Sequence, residues 1–146
     1  LEFSILGIII DTSLLIASER LGGDATELLR YLERNFGGAS AALSVISIVE
    51  LAHGIYRAKQ SVHAERRKRF TDGAAQLMTV HPVSLQIAML AGRIHGQQMD
   101  RGITIDLADL LIGCTALYLD YELATANQKH FAQIPGLIMA TLPDVS

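Results

Sequence analysis

Residues 5–10 end in GIII, a run of apolar, β-branched positions with no polar residue interleaved. A half-exposed strand alternates apolar with polar side chains, so an unbroken run of this kind predicts a strand covered on both faces, as in a parallel sheet. Asp11, Thr12 and Ser13 follow at once and offer N-caps for a short helix through LLIAS. Asp24-Ala-Thr-Glu27 has the spacing of a capping box. Leu28, Leu29, Leu32 and Phe36 then recur at helical intervals until Gly37 and Gly38 stop them. Residues 41–46 read as a second strand. Ser47-Ile-Val-Glu50 reads as a second capping box, opening a helix through Leu51, Ala52, Ile55 and Ala58 with Glu50 in its first turn.

The spacing predicts another helix over residues 62–77, carrying Arg66, Arg67, Lys68 and Arg69, and a third strand over 78–83. Ser84 caps LQIAMLAGRIHGQQM, which Arg101 and Gly102 break. Residues 103–105 lead into the apolar helix DLADLLIGCTALYLD, with Asp109 in its first turn. A fourth strand spans 122–126 and ends at Asn127; residues 137–142, after Pro135 and Gly136, are a candidate fifth. Strands alternating with helices predict an α/β domain with a mainly parallel sheet of four to five strands.

Length makes 1–146 a single domain, since the glycine pairs punctuate elements and no linker or repeat divides the chain. Half the residues are hydrophobic and 18% are charged, which excludes a disordered chain. The formal charge of −3 argues against a protein that holds nucleic acid by bulk electrostatics, and leaves room for a local basic patch. Cys114 is the single cysteine, so neither an internal disulfide nor a thiolate zinc site is available, and a cytoplasmic location is expected. Every apolar stretch is short of the roughly 20 residues needed to cross a bilayer, and no basic segment precedes the first of them, so neither a membrane span nor a secretory leader is expected. Residues 1–4 read as a cloning remnant.

In open parallel sheets ligands bind beyond the carboxyl ends of the strands, at a switch point. Asp11 lies just past the first strand, Asn127 just past the fourth, and Glu50 and Asp109 in first helical turns. All four can converge on one edge of the sheet. Each alone has a plainer explanation: Asp11 as a cap, Glu50 as half of a capping box, Asp109 as the third position of a box opened by Asp106, Asn127 as a turn residue. Nothing in capping requires all four at one end of neighbouring elements. Three carboxylates that close repel one another, and a divalent cation relieves the repulsion. Oxygen donors without cysteine suit Mg²⁺ or Mn²⁺, which activate water and stabilise charge on a phosphoryl oxygen.

Four blocks, IIIDTSLLIA at 8–17, ALSVISIVELAHGIYRA at 42–58, ITIDLADLLIGCTAL at 103–117 and ELATANQKHFAQIPGL at 122–137, resemble the PIN domain family and, within it, VapC-type toxins. The resemblance implies a three-layer α/β/α sandwich and a metal-dependent endoribonuclease acting on RNA. It places Asp11, Glu50 and Asp109 at the family's acidic positions and Asn127 at the fourth, with Thr125 and Thr12 or Ser13 as supporting hydroxyls. It also implies a homodimer and inhibition by a cognate antitoxin. Asn127 in place of an acid lowers the charge of the pocket, and Asp106 stands where a small or turn-forming residue is commoner; capping is the preferred role for it.

Other signals weigh less. Glu50-Leu-Ala-His53 has a di-iron spacing but no second copy, so His53 is expected to be structural or solvent-facing. His63, His81 and His95 show no ligand spacing. ERRKRF at 65–70 reads as a solvated helix face before it reads as an RNA contact. Arg57 is a candidate RNA contact, and Lys129 and His130, close behind Asn127, are better placed ones. Phosphate-loop and serine-hydrolase motifs are missing. The rival functions are a non-cleaving PIN-like binding domain, an aspartate-nucleophile phosphatase built on Asp11, whose usual second acid is replaced by Ser13, and a phosphate-accepting receiver, disfavoured because residues 73–99 hold no acid.

Overall fold

The computed structural model describes residues 5–142, and the reading of residues 1–4 lies outside them. In chain order the elements are β1 (Gly7–Ile10), α1 (Thr12–Arg20), α2 (Ala25–Phe36), β2 (Ser40–Ser44), α3 (Val45–Arg57), α4 (Ser61–Leu77), β3 (Thr79–His81), α5 (Leu85–Met99), α6 (Leu107–Leu119), β4 (Glu122–Ala124) and α7 (Gln128–Phe131).

All four strands are parallel, in the order β3-β2-β1-β4. β1 is central and wholly buried, as its uninterrupted apolar run requires. Its side chains divide between two cores. Ile8 and Ile10 pack with Leu14, Leu28, Leu51 and Phe70 on the side of α1 to α4. Ile9 packs with Ile94, Leu110, Ile112 and Phe131 on the side of α5 to α7. Period-two alternation is present in space but invisible in the sequence, because both faces are apolar. The result is the α/β/α sandwich. Cys114 sits fully inside the second core, where burial pushes its thiol up to about 11, so it stays protonated and unreactive.

The chain fills the sheet outward from β1 through β2 to β3, then returns to the far side of β1 with β4. The direction of winding therefore reverses between β1 and β4, and a crevice opens beyond their carboxyl ends. Asp11 N–H donates to Ala124 O at 2.8 Å across that gap, tying the two strand ends together.

Two expectations fail, and β3 and β4 are shorter than the strands read over 78–83 and 122–126. The second strand stops at Ser44, not at residue 46, and the helix begins at Val45. Ser44, not Ser47, is the N-cap: its hydroxyl accepts from Ile46 N at 3.1 Å. Glu50 is therefore in the second turn of α3 and takes no part in capping. The apolar run through AALSVISIV hid this boundary, since strand and buried helix read alike over so few residues. The candidate fifth strand reduces to an isolated parallel bridge between Leu123 and Met139. The Asp24 cap stands as expected, with its side chain accepting from Glu27 N at 2.8 Å.

Candidate active site

Asp11 occupies the N-cap position of α1, yet its side chain makes no capping hydrogen bond. Its carboxylate is buried and turned across the crevice instead. Oδ2 accepts from Ser13 Oγ at 2.6 Å and from Thr125 Oγ1 at 2.8 Å. Both hydroxyl protons are thereby committed to one oxygen. In return, Ser13 Oγ accepts from Ala126 N at 3.2 Å and Thr125 Oγ1 from Asn127 N at 2.9 Å. The loop after β4 is thus sewn to the start of α1 through the Asp11 carboxylate, and Oδ1 has no donor among the described residues. Ser13, standing where an aspartate-nucleophile phosphatase wants an acid, positions Asp11.

Glu50 is fixed from the same helix start. Thr12 Oγ1 lies 2.7 Å from Glu50 Oε1 and 2.8 Å from Ser47 Oγ. A hydroxyl has one proton and a carboxylate can only accept, so Thr12 donates to Glu50 and accepts from Ser47. Ser47 is a site-supporting residue that sequence reasoning missed, because its spacing to Glu50 had been spent on a capping box.

Asp109 enters from the first turn of α6, where Asp106 serves as N-cap and accepts from Ala108 N at 3.3 Å. Partial burial pushes the Asp109 carboxyl up to about 6, and the charge of Asp11 pushes in the same direction, followed by Asp106 and, more weakly, Glu50; His130 opposes them. Asp106 therefore caps the helix and adds to the acidic rim. His130 Nδ1 stands 3.4 Å from Asp109 Oδ2, the one ion-pair contact any of the three carboxylates makes among the described residues. Asn127 is exposed, and its side chain does not cap α7.

Two cavities flank this crevice. One, of about 310 Å³, is bordered by Asp106, Asp109, Lys129 and His130. The other, of about 590 Å³, is bordered by Thr12, Glu50, His53 and Arg57. The predicted contacts Lys129, His130 and Arg57 thus line cavities that open onto the acidic residues. His53 is exposed. His81 meets the Tyr121 ring edge-on, with centroids 6.2 Å apart, away from the site.

The set suits a hard dication: carboxylate and hydroxyl oxygens, mutual repulsion at Asp109, and no lysine or arginine paired to Asp11, Glu50 or Asp109 among the described residues. As placed, no three His, Cys, Asp or Glu side chains among those residues form a closed ligand set. Mg²⁺ habitually keeps several waters and takes few carboxylates directly, so it does not require a closed protein ligand set.

The PIN domain family model matches residues 8–137. The chain belongs to the PIN domain family. Among its curated relatives, a Ribonuclease VapC of Rickettsia bellii is 32% identical over 138 residues, covering 94% of this chain and 98% of the relative. Ribonuclease VapC1 of Methanocaldococcus jannaschii is 31% identical over 133 residues, covering 87% and 80%. DNA-bound VapBC from Salmonella typhimurium superposes with a TM-score of 0.77 at 21% identity, over 92% of this chain and 97% of that one, which supports the PIN fold. No helix among the described residues is long and apolar enough to cross a membrane.

Proposed function

We propose that this PIN domain is an endoribonuclease dependent on Mg²⁺ or Mn²⁺, acting as the toxin of a toxin–antitoxin pair. The observation that carries the reading is a set of three carboxylates, from α1's cap, α3 and α6, close enough that the charges of Asp11 and Glu50 add to partial burial in raising the Asp109 carboxyl, with no lysine or arginine paired to any of them among the described residues. Asp11 and Asp109 would hold the ion, with Glu50 joining directly or through water. The ion would lower the pKa of a bound water and stabilise charge on a phosphoryl oxygen.

The chain's own groups divide the remaining work. Thr12 holds Glu50 Oε1, which leaves Oε2 to orient the attacking water and take its proton. Ser13 and Thr125 fix the Asp11 carboxylate, and Asn127 offers an amide at the mouth of the crevice. Lys129, His130 and Arg57 would meet phosphates on either side. Relatives named Ribonuclease VapC support the activity, and solved structures described as VapBC, one of them as a member of a toxin–antitoxin family, support a cognate antitoxin as partner.

Cleavage of a single-stranded RNA with Mg²⁺ or Mn²⁺, by the wild type and by Asp109→Asn, tests the proposal. Loss of at least a hundredfold in rate in the folded variant is expected, on the order of 3 kcal/mol of transition-state stabilisation. Equal rates would overturn it.

A further inference from the structure

We infer that the groove between α1, α3 and α4 binds the sugar-phosphate backbone of single-stranded RNA, with Arg67 as a pre-positioned phosphate ligand. This rests on the nuclease reading and deepens it. Glu19, in the last turn of α1, is buried, and a buried carboxylate demands a cation. Arg67 reaches it from α4, its Nε donating to Oε1 at 2.9 Å, while Arg66 Nε lies 3.4 Å from Oε2. The ERRKRF segment is therefore split: Arg67 is turned inward and only 13% exposed, whereas Arg66 remains 45% exposed.

The path of Arg67 depends on α3. A Cβ on Gly54 would collide with Nη1 of Arg67, so a glycine at that point of the helix is what lets the guanidinium lie across it. Attachment to Glu19 through Nε leaves the outer nitrogens without a further carboxylate among the described residues. They border the groove of about 590 Å³ together with Arg20, His53, Arg57 and Glu50. On α3, Glu50, His53 and Arg57 fall at i, i+3 and i+7, so His53 and Arg57 stand about 5 and 10 Å along the helix from the acid.

A strand threaded through the site must leave by the flanking cavities. The cavity beside Asp109 is about half the size and carries Asp106 as a second carboxylate. The groove beside Glu50 offers three arginines, one of them already immobilised, and guanidinium forks match phosphate oxygens. In a chain of net charge −3, that local excess of cations has an anionic ligand as its simplest use.

The test is fluorescence anisotropy of a labelled single-stranded RNA of about 16 nucleotides, a length on the scale of single-strand binding sites, titrated over a range of salt. It is run in an Asp109→Asn background so that binding is read without turnover. Arg20→Ala and Arg57→Ala are expected to raise Kd roughly three- to tenfold each and to lower the salt slope by about 0.7 per contact. Gly54→Ala keeps every charge, favours the helix, and displaces Arg67; it is expected to weaken binding as well, with its fold checked by circular dichroism. Arg34→Ala removes the same charge from outside the groove and serves as the comparison. Groove variants that match Arg34→Ala in Kd and slope would overturn the inference and leave those cations to a protein partner. Because binding is the readout, a chain that cuts no RNA would still give one answer or the other.

Discussion

Asp109 carries most of the electrostatic tension in this site, and that tension has a sign that can be measured. Its folded-state pKa of about 6 lies above the ordinary aspartate value of 3.8, so its charged form is disfavoured in the fold. The corresponding stability is fully present below about pH 3.8 and is lost as pH rises through about 6. Asp109→Asn abolishes the dependence. In metal-free thermal melts the variant is expected to be more stable than the wild type at pH 7.5, by on the order of 1 kcal/mol after allowing for partial solvent screening, and the gap is expected to close near pH 4. Adding Mg²⁺ should raise the wild-type Tm more than that of the variant. A gap that persists unchanged at acid pH would remove the repulsion from the account. At this scale the sequence was informative about Asp11, Glu50 and Asp109 but silent about Ser47, whose role exists only because Thr12 comes within hydrogen-bonding distance from another helix.

At the scale of elements, the helix start after β2 decides what Glu50 is for. With Ser44 as cap, Glu50 has no local partner on α3 and is free to face the crevice. Ser44→Ala is expected to cost about 1 kcal/mol of stability in urea unfolding, with the cleavage rate of the folded fraction largely retained. Ser47→Ala is expected to do the opposite, leaving Thr12 without its donor and lowering the rate more than the stability. The reverse pattern would restore the capping box read from the sequence. β1, the α6 start and, to within two residues, β4 were legible because an apolar run, a cap and a turn residue mark them in turn. The β2/α3 boundary was not, because SAALS and VISIV are both apolar enough for strand or helix. The fifth strand failed because only Met139 bridges to Leu123.

At the scale of the molecule, the order of elements pointed to an α/β domain with a parallel sheet, the family resemblance implied the sandwich, and the switch between β1 and β4 explains why residues over a hundred positions apart share a hydrogen-bond network. What composition could not reveal is how charge is distributed: a net −3 conceals an acidic crevice beside an arginine-lined groove. Exposed Leu85 and Met89, one turn apart on α5, offer an apolar face for the expected homodimer. Light scattering should give about twice the chain mass of 15.8 kDa, and Met89→Glu should shift it toward the monomer. A monomer at all concentrations would count against self-association without touching the site.

The central claim is that Asp11, Glu50 and Asp109 share one divalent ion, and anomalous diffraction from crystals soaked in Mn²⁺ tests it most directly. The account predicts a manganese peak bounded by those three carboxylates, lost in Asp109→Asn crystals. A crevice without a peak at saturating Mn²⁺, or a peak held elsewhere on the chain, would contradict it.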